Sequence, residues 1–292
     1  MKNTKFVIAV LTPVFLFMLV FQVVPIFLGL GISLFDYNPL RTENHFIGFS
    51  NFVRIAKDPV FYKAFSHTVY FVVLSTGFNI VLTLVIAQII SAFKQNKVRS
   101  LFRVIFFMPC VAPLAATGFV WRMMYDKHFG LINMFFSRFF GIAPRAWLGE
   151  AGTVMNAIIV FSLWADIGYN ILLFCAGIDG IPSDFYEAAI IDGAGAVSRF
   201  FKITLPLLAR TMCFVLAMTL IFYFQTFAQF EVMQRNHGGP NDIGLVLSLL
   251  IYRTAFVSKN MGYASTISLA LLVLIMIFTI ISQRLNRVDW GY

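Results

Sequence analysis

Six long runs that carry almost no charge organise this sequence. Each run approaches or exceeds the roughly 20 residues that a helix needs to cross the hydrocarbon of a bilayer. Lipid offers no partner for a free peptide N–H or C=O, so a crossing segment has to satisfy its own backbone. A closed β-barrel would instead show alternating segments of about 10 residues, and the sequence has none. The predicted helical spans are residues 6–35, 64–93, 104–125, 153–178, 211–231 and 260–283.

The composition excludes an ordinary soluble enzyme. Hydrophobic residues make up 60% of the 292 positions and charged residues only 12%, whereas soluble domains are about 25% charged. We therefore predict an all-α, polytopic membrane protein in which residues 1–292 form a single transmembrane domain. The first run is longer than the apolar core of a cleavable signal peptide, about 7–15 residues, so we expect it to be retained as a helix.

The Lys and Arg residues indicate the orientation in the membrane. With the N-terminus in the cytoplasm, they divide equally between the two sides, but the inner loops are shorter and two basic clusters lie directly against helix ends. This favours a multi-pass protein of the cytoplasmic, or inner, membrane with both termini inside. The formal charge of +9 is then a signal of topology and anionic lipid, and nucleic acid is not an expected partner.

The residue types that carry hydrolytic or metal chemistry are not arranged for it. The three cysteines are far apart in sequence, at or within predicted spans, and no two of the four histidines stand at metal-ligand spacing on a helix. A G-x-S-x-G nucleophile turn and a G-x-x-x-x-G-K-[ST] phosphate loop are both missing from the sequence. We therefore expect no enzymatic activity, no metal site and no cofactor in this chain.

The longest connection between predicted spans, residues 179–210, has mixed charge and regular apolar spacing. Pro182, followed by Ser183 or Asp184 as the N-cap, predicts the start of a short helix. Gly193 then predicts the turn that ends it, because glycine reaches backbone conformations that other residues avoid.

A second short helix is expected at about 197–203, before Pro206 turns the chain back into the membrane. The two helices would form a ledge outside the bilayer. Such a ledge could receive another protein surface, or it could lie on lipid headgroups as an amphipathic interfacial helix. The residue pattern alone favours neither reading.

A longer signature within this connection distinguishes the two readings. Glu187-Ala188-Ala189 is followed at fixed distances by Gly193, by Ile203 and by Leu205-Pro206. This spacing resembles, position for position, the EAA signature of permease subunits of ABC importers. In that family the EAA helix sits in a cleft of the ATPase subunit and transmits its closure to the membrane helices. The resemblance therefore implies that residues 179–210 are a coupling segment.

Further similarities run along nearly the whole chain, at Phe107-Met108-Pro109, Gly130-Leu131-Ile132-Asn133 and Gly238-Gly239-Pro240. Together they resemble the carbohydrate branch of the family, which includes maltose-type and glycerol-phosphate-type permeases, and the first of its two paired subunits. The fold implied is the six-helix transmembrane domain of a type I importer. The implied ATPase-coupling residues are Tyr186, Glu187, Ala188, Ala189, Asp192, Gly193, Ile203 and Pro206.

The resemblance also implies the partners. These are a second homologous permease that completes a heterodimer, two ATP-binding-cassette subunits that bind ATP and Mg, and an extracytoplasmic solute-binding protein. The solute implied is a sugar or oligosaccharide.

Polar side chains recur at helical spacing in the fourth and fifth predicted spans. A carboxylate at mid-membrane costs about 2.5–3.5 kcal/mol on insertion scales, so Asp166 requires a specific reason for its position. Neutral polar groups beside aromatic rings can bind sugars, whose hydroxyls need directional partners and whose C–H faces stack on rings. The family has its sugar contacts on these two helices. The substrate-path candidates are Asp166, Tyr169, Asn170, Thr219, Tyr223, Gln225 and Thr226.

Other readings remain open at this point. The polar groups could instead hydrogen-bond between helices, with Asp166 paired to Arg122, for example. Asp166 would repel an anion, which favours a neutral sugar over glycerol phosphate, although a permease for glycerol phosphate or a polyol is the main alternative. An ion-coupled secondary transporter and an intramembrane enzyme are further classes. The enzyme would lack a second acid within a span.

Overall fold

The computed structural model describes residues 4–234 and 238–285. Four continuous helices are long and apolar enough to cross a membrane, and two helix pairs pass the same test but are sharply bent. Six spans result when each bent pair is counted as one. This confirms the prediction of an all-α polytopic membrane protein. The continuous helices are Phe6–Ile32, Pro59–Ala92, Val154–Asp179 and Met261–Arg284, and the bent pairs are Asn96–Val111 with Leu114–Met124 and Ala196–Leu207 with Ala209–Phe224.

The chain divides into two compact units, so the single domain expected over residues 1–292 stays a prediction. One unit comprises Met1–Tyr62 and Leu250–Leu272, and the other comprises Lys63–Leu249 and Val273–Tyr292. Along the chain, the helices are α1 (Thr4–Met18), α2 (Val24–Ile32), α3 (Ser50–Ile55), α4 (Pro59–Ala92), α5 (Asn96–Val111), α6 (Leu114–Met124), α7 (Leu131–Phe140), α8 (Val154–Asp179), α9 (Ser183–Ile191), α10 (Ala196–Arg199), α11 (Leu205–Leu207), α12 (Ala209–Phe224), α13 (Ala228–Met233), α14 (Leu247–Tyr252) and α15 (Met261–Leu285).

In the first unit, α1 and α2 are joined by a π-helical turn and make one long apolar helix whose described side chains are almost all exposed. A short antiparallel ribbon follows, formed by β1 (Phe35–Asp36) and β2 (His45–Phe46). The Tyr263 hydroxyl at the start of α15 donates a hydrogen bond of 2.5 Å to Asp58. The Arg54 guanidinium lies 4.0 Å from the centre of the same ring. These contacts hold the first turn of α15 against the loop before α4.

The predicted span 104–125 consists of two helices, α5 and α6, that meet at 92°. The bend lies where Ala112 is extended, with a ψ of 140°, directly before Pro113. A residue before proline is pushed out of the helical region by the proline ring, which explains the break. The first helix begins at Asn96, eight positions before the predicted boundary. Its opening turns are basic rather than apolar, so an apolar run does not reveal them.

Helices α5 and α8 pack together more extensively than any other pair of described elements. The close approach depends on Gly168, because a Cβ at that position would meet the carbonyl oxygen of Phe106, the Phe107 Cα at 2.8 Å and the Cys110 Sγ at 2.9 Å. Toward the coupling segment, an apolar cluster built on Phe174 and Leu208 continues this contact. The second unit is therefore organised around α8.

Candidate functional site: a polar cavity and the coupling segment

A cavity of about 470 Å³ lies among α4, α5, α8 and α12. The rings of Phe107 and Phe222 form part of the cavity wall, and polar side chains from three of the four helices also line it. The two predicted polar faces meet here, because the register between α8 and α12 turns both inward. The polar lining includes five of the predicted substrate-path residues and one other: Asp166, Tyr169, Asn170, Thr219, Tyr223 and Asn79.

A buried hydrogen-bond network connects three of the helices around the cavity. The Asn170 Nδ2 donates to the Asn79 Oδ1 at 2.7 Å and to the Thr219 Oγ1 at 2.9 Å. The Asn79 Nδ2 in turn donates to the Tyr223 hydroxyl oxygen at 2.9 Å. These side chains thus make the interhelical bonds of the alternative reading while also lining the cavity. The network fixes the positions of α4, α8 and α12 around it.

Asp166 and Tyr169 are held differently from the network. The Tyr169 side chain is 54% exposed, so its ring is free to meet a solute. One carboxylate oxygen of Asp166, Oδ2, is buried with no hydrogen-bond partner among the described residues. The side chain of Gln229, at the start of α13, is a hydrogen-bonding partner of this carboxylate. The Asp166 side chain therefore lines the cavity while one of its acceptor oxygens is buried and unused.

The ion pair suggested between Asp166 and Arg122 is not formed. The Nη1 of Arg122 instead lies 3.5 Å from the carbonyl oxygen of Val232. No ion pair of Asp166 occurs within residues 4–234 and 238–285. The carboxylate is accommodated by an amide and by the cavity rather than by a cation.

Two predicted substrate-path residues do not line the cavity. Helix α12 ends at Phe224, so the helical spacing that linked Thr226 to Tyr223 does not continue. Gln225 is exposed at the helix end. Thr226 is buried, and its hydroxyl donates to the carbonyl of Phe222 at 3.1 Å. The predicted span 211–231 is accordingly a helix, a turn and the separate helix α13.

Sequence reasoning missed Asn79 and gave Gln229 no role at the site. Asn79 lies in an otherwise apolar run, yet it follows Thr76 by three positions and precedes Thr83 by four, which is one face of a helix. All three side chains are buried. This spacing was the available signal. Gln229 gave none, because its approach to Asp166 depends on the turn after α12.

Removing the Asn79 amide should destabilise the protein. Asn79→Ala takes away two hydrogen bonds and leaves the Tyr223 hydroxyl without its donor. Interhelical hydrogen bonds contribute about 0.6–1.7 kcal/mol each in a membrane protein, so a drop of several degrees in melting temperature is expected on thermal unfolding in detergent. Gln225→Ala, which removes an exposed amide, is the control. Equal melting temperatures for the two variants would contradict the network.

The coupling segment begins with α9, whose N-cap position is occupied by Pro182 without a side-chain cap. The prediction of Ser183 or Asp184 as the N-cap was therefore wrong, since both lie inside the helix. The predicted turn at Gly193 is present, with a φ of +76°. Its geometry is closed by a hydrogen bond of 2.8 Å from the Ala194 N–H to the Ala189 carbonyl.

The second half of the coupling segment runs from α10 through a π-helical turn, Phe200–Thr204, into α11. The chain then bends by 70° into α12. The break falls at Leu208, two residues after Pro206. Pro206 itself lies in the first turn of α11, where a proline is tolerated because its missing N–H would have no helical partner. The helix expected at 197–203 is thus confirmed in position but divided in form.

The residues predicted to couple to the ATPase divide into an exposed set and a supporting set. The Tyr186 hydroxyl is within hydrogen-bonding distance, 3.0 Å, of the Thr204 Oγ1, and it joins α9 to the π-helical turn Phe200–Thr204. Ala189 is buried. A shallow pocket, here called the concave surface, has a volume of about 600 Å³ and lies between α9 and Ile203. The exposed members are Glu187, Ala188, Asp192, Gly193 and Pro206, and Ala188 and Asp192 line the concave surface together with Ile203.

A polar cavity among membrane helices, with an exposed segment at one end of them, is typical of a membrane transport protein. The chain belongs to the family described as the binding-protein-dependent transport system inner membrane component, whose model matches residues 79–288. The matched region contains the cavity helices α5, α8 and α12 and the whole coupling segment. The protein is accordingly a multi-pass inner-membrane permease.

Relatives match over almost the full length. A probable ABC transporter permease protein, YurN of Bacillus subtilis, is 33% identical, with 94% of this chain and 93% of that protein covered. The trehalose/maltose transport system permease protein MalF of Thermococcus litoralis is 30% identical, with 98% and 95% covered.

A chain of a bacterial alginate ABC transporter, solved in complex with an alginate pentasaccharide-bound periplasmic protein, has a similar fold. The TM-score is 0.85 at 21% identity, with 98% of this chain and 95% of that chain covered. At this identity the likeness speaks for the fold, which is that of an ABC importer permease.

Proposed function

We propose that this chain is one of two homologous permease subunits that together form the path for a neutral sugar or oligosaccharide. An extracytoplasmic binding protein delivers the solute, and two ATPase subunits, which bind ATP and Mg, drive its passage. The chain itself carries no cofactor and no catalytic residue. Both of its termini face the cytoplasm, on the same side as the coupling segment.

The observation that carries the choice of solute is the chemistry of the cavity wall. Asp166, whose buried Oδ2 has no hydrogen-bond partner among the described residues, and Tyr169, whose ring is exposed, line the same cavity. Sugar hydroxyls donate hydrogen bonds to such an acceptor, and pyranose C–H faces stack on such a ring. The trehalose/maltose relative supports the same class of solute.

Glycerol phosphate and polyols are the second candidates within the same transport class. A phosphate would meet the Asp166 carboxylate, and like charges repel strongly where little water is present. A polyol would satisfy the acceptor but would leave the ring of Tyr169 without a flat face to stack on. The cavity therefore favours a neutral sugar ring.

The test of this proposal is the substrate affinity of a Tyr169→Ala variant. We expect its KM for uptake of a neutral oligosaccharide to rise about tenfold, equivalent to about 1.4 kcal/mol of lost stacking. The matched control is Val160→Ala, which shortens an exposed apolar side chain on the same helix. Uptake is measured in cells that express the complete transporter. An unchanged KM, or competition by glycerol phosphate as strong as by the sugar, would contradict the proposal.

A further inference from the structure

Three charged side chains clamp the end of α8 that leads into the coupling segment. Asp179 is the last residue of α8, and both of its carboxylate oxygens are paired. Oδ1 accepts a hydrogen bond from the Arg99 guanidinium, and Oδ2 accepts one from Arg103 at 2.6 Å. Arg99 and Arg103 lie one helical turn apart on α5. One carboxylate thus holds two turns of the neighbouring helix.

This clamp is better shielded than the ion pair between Arg41 and Asp36. The exposed fractions of its side chains are 21% for Arg99, 28% for Arg103 and 34% for Asp179. In the pair between Arg41 and Asp36 they are 56% and 42%. Exposed pairs are weakened by water and salt, whereas shielded, multiply bonded pairs hold their geometry better.

The clamp lies between the coupling segment and the cavity. Only Gly180 and Ile181 separate Asp179 from Pro182, where α9 is capped. On the other side, α5 and α8 carry Phe107 and Asp166 to the cavity wall. Between these two levels, the apolar cluster packs side chains of α5, α8 and the coupling segment together, including Phe106, Phe174 and Leu208.

Elements in continuous contact therefore connect α9 to the cavity, so a movement of α9 can be transmitted to it. The apolar cluster resists separation of α5 and α8 but, being non-directional, does not prevent one helix from sliding along the other. Two hydrogen-bonded ion pairs at fixed positions do prevent it, because sliding would break both. Rigid-body transmission of this kind needs elements that keep their register while they move.

We infer that Asp179, Arg99 and Arg103 form a positioning clamp that makes α5 and α8 move as one body with the coupling segment, so that the movement reaches the cavity. The inference rests on the proposed function of the chain as an ATP-driven permease. None of the three residues contacts the solute cavity, and their role is to transmit.

The test is the number of ATP molecules hydrolysed per solute taken up, measured in proteoliposomes that contain the complete transporter. The informative variant is the triple change Arg99→Gln, Arg103→Gln and Asp179→Asn, which removes the clamp and leaves no unpaired charge. We expect ATP hydrolysis to persist while uptake falls, so that this ratio rises at least about fivefold. The single variant Asp179→Glu, which keeps the carboxylate and both arginines, should retain most of the coupling. Lys97→Gln, which removes an exposed cation two positions before Arg99, should leave the ratio unchanged.

The outcomes separate the inference from the proposed function. A triple variant with the wild-type ratio would overturn the inference and leave the proposed function standing. A triple variant that no longer assembles would also overturn it, because the clamp would then support the fold rather than transmit movement. Absence of any ATP-dependent uptake by the wild-type complex would instead reject the proposed function, and the inference with it.

Discussion

Replacing Gly168 with valine should prevent α5 and α8 from packing and should reduce uptake to background. A Cβ there would meet backbone atoms of Phe106 and Phe107, which cannot turn aside as a flexible side chain can. Overpacking of a fitted site costs about 1–3 kcal/mol, and contacts with backbone place this site at the upper end. The variant should be recovered poorly from membranes, and the recovered fraction should unfold at a lower temperature.

Gly77→Val is the matched control for this prediction. Gly77 also lies within a membrane helix, α4, but a Cβ there would meet no atom within 4 Å. Both variants add the same bulk and change the intrinsic helix propensity in the same way, so only the Gly168 change should disrupt the helix pair. Equal yield, stability and uptake for the two variants would show that the close approach of α5 and α8 is not needed.

Replacing Gly193 with valine should uncouple ATP hydrolysis from uptake. The φ of +76° at Gly193 lies in the left-handed region, where a residue with a Cβ is strained by about 1–2 kcal/mol and a β-branched one by more. The turn would change its path and α9 would be presented to the ATPase at a different angle. Hydrolysis by the purified complex should continue, while uptake should fall at least about tenfold.

Gly195→Val is the control, since Gly195 lies two positions further on, with a φ of −69° and no atom within 4 Å of a Cβ. Glu187→Arg is a second variant of a different kind, because it reverses an exposed charge without straining the backbone. It should uncouple the complex in the same way. Wild-type uptake in both Gly193→Val and Glu187→Arg would remove the coupling role from this segment.

The membrane spans could be predicted because the signal is local. Each run is apolar in itself, and its length against the bilayer decides the assignment. The bends could not be predicted in the same way. Pro113 and Pro206 are both visible in the sequence, but the chain breaks directly before the first and two residues after the second. The position of the proline relative to the start of its helix decides where the chain breaks.

The cavity could be predicted only in part, because it depends on the register between helices. Asp166, Tyr169 and Asn170 share a face by spacing alone, and the structure brings them to the cavity. Asn79 was missed because one amide in an apolar helix gives no indication of the helix it will meet. Thr226 does not line the cavity, because α12 ends at Phe224 and the helical spacing does not continue past it.

The clamp between Asp179, Arg99 and Arg103 could not be predicted from the sequence, for the same reason as the cavity. In the sequence, Arg99 and Arg103 stand out only as part of a basic cluster at a helix end, and Asp179 only as the first residue of a segment of mixed charge. Their pairing requires α5 to return alongside α8, which no local pattern encodes.

The most direct test of the central claim is the energy source of transport. The complete transporter, purified through a tag on this chain and reconstituted in proteoliposomes with its binding protein, is supplied with ATP and a labelled neutral oligosaccharide. Ionophores then collapse the proton and sodium gradients. We expect uptake to continue at its full rate and to stop only when ATP is withheld. Uptake that persists without ATP and disappears with the gradients would contradict it.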